Sequence, residues 1–473
     1  MTAIPDSFVV RFAAPAWLVA CLLLGGSSSG GFLVNGLLQI AAGGIVLWMI
    51  WRGTWTTLDH RARSLLAIVV GAALLALISL VPLPPAVWTL LPGRGDVFDA
   101  YHLIGMPAPW LPLSLTPDAT IAAIFSLLPP LAMFLLVHAS RPEGRRVTLI
   151  MLVAVAFASV LFGVTQQVAG YGSDTYIYKY TSRGGAVGFF ANRNHLATLC
   201  LMTMPFLAAV AAVGRKRDRT QRFSWAPALG ALLLMVVGAL VVQSLAGWIL
   251  LMPTLFACAL LFQGPRKGKS SRALVGATLV IIVVAIMAAL FAPLSPADLS
   301  QVVGEVRPQE RRGIMALTWQ AARHFGPIGT GWGSFVDIYP RFENAATITG
   351  TFINHAHNDY LELLMETGIA GLTLLVAFVV WWVGTIREAW RSGGDPVARA
   401  ATVAIGVVMA HSFVDYPIRT AAIACVVALS CGLAGVRTTA IETPRRERER
   451  RTGMIQLGAD ARPRGRDTVP VAS

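Results

Sequence analysis

Long apolar runs separated by short polar segments dominate the 473-residue chain. The runs lie at about 9–27, 30–51, 64–83, 119–139, 147–168, 195–213, 226–243, 245–263, 273–292, 368–386, 400–418 and 420–436. Each approaches the roughly 20 residues that an α-helix needs to cross a bilayer. About twelve crossings follow, and with them an all-α polytopic membrane protein, since helices satisfy their own backbone in lipid. The stretch from 226 to 263 is too long for one crossing, so a turn is expected at 243–246, where Gln243-Ser244 interrupts it. The polar segments divide the chain into spans one to nine (1–292), a large loop (293–367), spans ten to twelve (368–437) and a tail (438–473).

Composition agrees with this pattern. Only 13% of residues are charged and 55% are hydrophobic, where a soluble domain carries about a quarter charged residues. The net charge of +14 does not call for nucleic acid as a partner. Its sources, Arg52/Arg61/Arg63, Arg141/Arg145/Arg146, Arg215–Arg222, Arg266–Arg272 and Arg387/Arg391/Arg399, fall in alternate short loops. By the positive-inside rule these loops face the cytoplasm, as do both termini. The Arg-rich tail lacks apolar periodicity and is expected to be disordered, with contacts to anionic membrane lipids. Cys21, Cys200, Cys258, Cys425 and Cys431 all sit in apolar runs, where Cys acts as a small hydrophobe. The first run shows no small-residue cleavage site ahead of a soluble domain, so it reads as a retained helix.

Three segments remain on the outer side: 84–118, 169–194 and 293–367. The last is expected to hold a helix at about 308–325, a glycine-rich turn (Gly326, Gly329, Gly331, Gly333) and a second helix starting near Asn358. It is rich in arginine, which the positive-inside rule disfavours there. Guanidinium groups pair bidentately with phosphate, so the cluster points to a phosphate-bearing partner. Ordinary salt bridges to Glu305, Glu310 and Glu343 are the alternative for any single arginine.

Candidate chemistry concentrates in Asn354-His355-Ala356-His357-Asn358-Asp359-Tyr360-Leu361-Glu362. His355, His357 and Asp359 could ligate a metal, although a lone His-x-His pair is weak. The His and Asn residues could instead cap the following helix. A neutral imidazole could also take a proton from a hydroxyl, oriented by Asn358 or Asp359. Arg193, in Gly188–His195, must face a polar cavity or snorkel. His411 and Asp415, spaced i, i+4, share a helix face and read foremost as a buried pair that locks the bundle.

Three stretches then resemble the O-antigen ligase and polysaccharide polymerase superfamily: GFFANRNHLA at 188–197, RRGIMALTWQAARHFGPIGTGWGSF at 311–335 and HNDYLELLMETGIAG at 357–371. The last has His357-Asn358, nine residues, Gly368, two residues and Gly371. The resemblance spans roughly 150–420 and implies a GT-C-like enzyme of the bacterial inner membrane, with a helical periplasmic loop domain over a lateral cavity. It implies a donor glycan on undecaprenyl diphosphate and an acceptor glycan or lipid A–core. A chain-length regulator is a further expected partner, and no cofactor or metal is implied. The family's essential histidine falls on His357, and its arginines fall on Arg193 and on Arg311 or Arg312. A Ser-Arg pair common between the seventh and eighth spans of relatives is Ser244-Leu245 here, so Arg183 or Arg341 would have to compensate. The expected chemistry is proton removal by His357 with Arg193 and Arg311/Arg312 neutralising the departing diphosphate. The reading leans to polymerase over ligase. A transporter of lipid-linked oligosaccharide is the alternative of another class, and it lacks the paired halves such proteins tend to show.

Overall fold

The computed structural model describes residues 6–28, 33–217, 226–263, 308–344, 353–391 and 394–435. The chain is an all-α polytopic membrane protein. Among the described residues its strands are two-residue pieces, β1 (Pro82–Leu83) and β2 (Leu111–Pro112), paired antiparallel with Pro82 opposite Pro112. The helices, in order, are α1 (Asp6–Leu24), α2 (Leu33–Trp51), α3 (His60–Ser79), α4 (Pro85–Trp88), α5 (Gly95–Leu103), α6 (Pro117–Ser126), α7 (Leu128–Ala139) and α8 (Pro142–Ala169). There follow α9 (Arg193–Arg217), α10 (Ala226–Val241), α11 (Leu245–Gln263), α12 (Pro308–Phe325), α13 (Phe335–Ile338), α14 (Asp359–Ala389), α15 (Pro396–His411) and α16 (Ala421–Gly435).

Among the described residues seven helical stretches are long and apolar enough to cross a membrane, and α1, α10, α15 and α16 are shorter apolar helices. They coincide with the runs expected from sequence, including the break between α10 and α11 at Gln243-Ser244. The expected span 273–292 and the tail 438–473 lie outside the described residues. Local chemistry explains the helix ends. Asp59 and Asp395 accept backbone N–H groups at the starts of α3 and α15, and prolines occupy first turns, where no N–H is needed.

The bundle is arranged for lipid. Leu33, Ile40 and Leu47 of α2 and Ile369, Val376 and Val380 of α14 face outward, while Thr148, Ser159 and Gln166 of α8 are buried. Helix α9 runs through the centre, 89% of its membrane window buried, and packs against α8, α10, α11, α15 and α16. Alanines 400, 401 and 404 of α15 and alanines 197, 208 and 209 of α9 are fully buried. Small side chains of this kind let helix backbones approach closely.

A second, smaller core joins Ile314, Ala321 and Phe325 of α12 to Phe335, Tyr339, Ala356 and Met365. Its helix α12 has the bounds the sequence implied. Segment 114–120 docks on the glycine-rich turn: Leu115 N–H donates to Thr330 O at 2.8 Å and Thr120 Oγ1 to Trp332 O at 2.9 Å. That docking was not foreseen from sequence.

The glycines of the 357–371 motif have a steric reason. Gly368 interrupts α14 with φ 59°, and an added Cβ there would run into the Pro327 carbonyl oxygen. The backbone groups freed at this kink are taken by the turn. Ile369 N–H donates to Pro327 O at 2.9 Å and Gly331 N–H to Glu366 O at 2.8 Å. The kink separates 359–367 from the apolar stretch behind it, so about two and a half turns carrying Asp359, Glu362 and Glu366 precede the membrane helix proper.

Candidate active site

The loop 353–358 is held by the helix that follows it. Asn358 caps α14, its Oδ1 accepting the N–H groups of Tyr360 and Leu361 at 3.1 and 3.0 Å. Glu362, one turn in, reaches back with both oxygens. Oε1 accepts from His355 Nδ1 and Oε2 from the Ala356 N–H, each at 2.8 Å. These bonds bracket His357, whose φ of 52° is a left-handed conformation. That backbone costs a non-glycine residue about 1 kcal/mol or more and persists only where the surroundings impose it.

His357 Nδ1 lies 3.2 Å from Asp415 Oδ1. A carboxylate only accepts, so the imidazole donates from Nδ1 and its neutral form carries a free lone pair on Nε2. Asp415 is fully buried. Burial opposes its charge, yet the hydrogen bond and charge of His357, with further help from Arg311, hold its carboxyl well below the usual carboxylate range. Asp415 also accepts from the Tyr416 N–H at 3.0 Å and from Asn192 Nδ2 at 3.4 Å.

Tyr416 is the hub of the cluster. Three histidine rings pack on it, His355 at 4.4 Å, His357 at 5.0 Å and His195 at 5.2 Å between centroids. Burial, and then the charge of Asp415, push its hydroxyl well above the ordinary phenol range, so it stays neutral. Both ring nitrogens of His195 are buried without a hydrogen-bond partner among the described residues. A bound polar group or water would remove that cost. His411 turns away and meets Thr198 Oγ1 at 2.8 Å through Nδ1.

Behind this layer lies an ionic cluster. Arg419 reaches Asp359 at 3.3 Å, Glu362 at 3.4 Å and Glu366 at 3.1 Å. Burial works against the guanidinium charge, but Glu362, Glu366 and Asp359 together raise its pKa above the usual arginine value. Asp359 is further held by Ser412 Oγ at 2.8 Å. Arg419 thus ties the start of α14 to the turn that carries Asp415.

The arginines expected at the site separate into groups. Arg193 is 5% exposed at the start of α9, and its guanidinium lies against Gly185, where an added Cβ would come within 2.8 Å of Cζ. Arg183 borders the same loop. It donates to the carbonyls of Tyr171 and Ser173 and lies over the Tyr176 ring. Arg311 stands close enough to act electrostatically on Asp415 and Tyr416, whereas Arg312 is on the exposed side of α12. Arg341 sits elsewhere, beside the Phe342 ring that packs on His324 and Phe325 at the far end of α12.

Two expectations change. Neither Asn358 nor Asp359 orients His357: the first is used as a helix cap and the second by Ser412 and Arg419, and the carboxylate on His357 is Asp415. The expected His411–Asp415 pair is not formed, because α15 ends at His411 and the following turn sends the two side chains to different partners. Sequence reasoning missed Asp359, Glu362, Glu366 and Arg419 as a unit; their signal was four charged residues in otherwise apolar surroundings. His355 and His357 point to different carboxylates, and among the described residues no three metal-ligating side chains form a cluster.

Residues 230–376 match the family model described as O-antigen ligase. The chain carries an O-antigen ligase domain. The matched region holds Arg311, Arg312, His357, Gly368 and Gly371, so the resemblance read from 311–335 and 357–371 stands, while the stretch 188–197 lies outside the match. Arg193 precedes the matched region, and Asp415 and Arg419 follow it; the fold brings Asp415 to His357 and Arg419 to Glu362. Comparison with curated proteins finds no match. The chain is broadly an enzyme of the O-antigen ligase and polymerase type in a multi-pass membrane protein.

Proposed function

We propose that the chain transfers a glycan from undecaprenyl diphosphate to a sugar hydroxyl at the periplasmic face of the inner membrane, with both termini in the cytoplasm. The observation that carries this reading is the His357–Asp415 contact at 3.2 Å beside Arg311. Nε2 of His357 takes the proton of the acceptor hydroxyl as its oxygen attacks the anomeric carbon. The bond from that carbon to the diphosphate breaks, and the diphosphate leaves with the bonding electrons. Asp415 holds the ring in the tautomer needed and stabilises the imidazolium that forms. Arg193 and Arg311 offset the negative charge growing on the leaving group, and the attack inverts the anomeric centre. An apolar groove between α11, α14 and α15, lined by Leu250, Pro253, Trp382, Val407 and Ala410, suits the polyprenyl tail.

The reaction proposed is polymerisation of repeat units of an exported polysaccharide. Purified protein given a lipid-linked repeat unit should produce a ladder of chain lengths. A single transfer, seen only when lipid A–core is supplied, would assign ligation instead. His357→Ala should lower the rate by about 10²–10⁴-fold while the protein still inserts. Transfer at the normal rate by that variant would remove His357 from the reaction.

A further inference from the structure

The exposed face of α12 leads away from His357. Arg311, in its first turn, acts on Asp415 and Tyr416, and His324 lies in its last turn. The helix rise puts about 20 Å between the two. Arg312, Ala316, Trp319, Gln320 and Arg323 stand exposed along this face, and no acidic residue interrupts them. Trp319 is 48% exposed, with the Arg323 guanidinium 5.9 Å over its ring.

At the far end two loops close on one pair of rings. Gly93 backs onto His324 and Phe325, and Phe342 packs on the same rings at 5.8 and 6.2 Å. Their neighbours, Arg94 and Arg341, therefore flank one patch. Arg94 is 4% exposed; it donates to the Leu113 carbonyl, and its Nε has no partner. Among the described residues neither arginine has an ion-pair partner. Burial, then the charge of Arg341, lowers the Arg94 pKa to about 10. A buried cation beside a second cation, with no counter-ion, is an arrangement that a bound anion relieves.

We propose that Trp319, Arg323, His324 and Arg341, backed by Arg94, form a track that binds an acidic polysaccharide, with a sugar carboxylate held at the Arg94–Arg341 end. The guanidinium fork matches a carboxylate, and the exposed indole offers a flat apolar surface to a sugar ring. The donor diphosphate is assigned to the other end of α12, so the anion here belongs to the glycan. This inference rests on the glycosyltransferase reading above and names the class of its glycan.

The test uses the full-length protein in lipid nanodiscs, titrated with an oligogalacturonate, a neutral oligosaccharide of equal length and inorganic pyrophosphate. The oligogalacturonate should bind at least about tenfold more tightly than the neutral chain and weaken as salt is added. Arg341→Gln and Trp319→Ala, both at exposed positions, should each weaken it about tenfold and leave pyrophosphate binding unchanged. Arg94→Gln should weaken it more than Arg94→Lys, which keeps the charge and loses the fork. Equal affinity for acidic and neutral chains, or undiminished binding by Arg341→Gln and Trp319→Ala, would overturn the track. Competition between pyrophosphate and the oligogalacturonate for these residues would overturn the assignment to a sugar carboxylate. A protein that binds the acidic chain through these residues yet moves no glycan from a lipid diphosphate would refute the proposed reaction and leave the track standing.

Discussion

Asp415→Asn isolates the electrostatic part of the proposed mechanism. The substitution keeps an oxygen for the Tyr416 N–H, which Asp415 now accepts at 3.0 Å, so the turn after α15 retains its local bond. It removes the charge that faces His357 Nδ1 at 3.2 Å. A hydrogen bond to a charged group contributes about 1.5–3 kcal/mol, and here the full value is realised only as the imidazole becomes cationic. Each 1.36 kcal/mol in the barrier is tenfold in rate, so transfer should slow by roughly 10- to 150-fold. The assay is single-turnover transfer from a lipid-linked donor by purified Asp415→Asn protein, with thermal unfolding followed in parallel. A variant that unfolds like the wild type and transfers at the wild-type rate would refute the reasoning. The pH dependence has a definite sign. The Asp415 pKa is depressed in the folded state, so its contribution is present above the unfolded value of about 3.9 and is lost only as pH falls through the lower folded value. Asp415 therefore stays charged from about pH 5 to about pH 9, and any loss of activity in that window must come from another group.

Other positions make separate demands. Arg419→Met leaves Asp359, Glu362 and Glu366 without their shared cation; it should cost about 3–5 kcal/mol, read as a large fall in Tm, and an unchanged Tm would show that the cluster is not held by charge. Gly368→Ala places a methyl group against the Pro327 carbonyl at φ 59°. The left-handed backbone alone costs about 1–2 kcal/mol, so Tm should drop further than for an alanine at exposed Gly313, and equal effects would remove the kink from the explanation. Arg311→Gln should reduce transfer much more than Arg312→Gln, because Arg311 acts on Asp415 and Tyr416; the reverse order in a transfer assay would exchange their roles.

Much of the architecture was legible because hydropathy is a property of consecutive residues. Among the described residues the apolar runs are the helices, the 308–325 helix has the bounds its sequence implied, and Asn358 caps α14 as an Asn at that position should. Helix ends were less legible where a turn intervenes. The run 400–418 reads as one span, yet the helix ends at His411 and the turn beyond it supplies Asp415 and Arg419 to the site. The i, i+4 spacing of His411 and Asp415 suggested a pair because spacing assumes that a helix continues.

The chain by itself determined the elements, the lipid-facing composition and the presence of His357 and a set of arginines away from the Arg-rich short loops. Those features depend on periodicity and local chemistry. Only the tertiary structure decided that Asp415 lies on His357, 58 positions away, that Arg419 gathers three carboxylates, and that Arg311 faces the site while Arg312 does not. Contacts of that separation are set by how α9, α14 and α15 pack, and no local pattern encodes which side chains meet when helices cross.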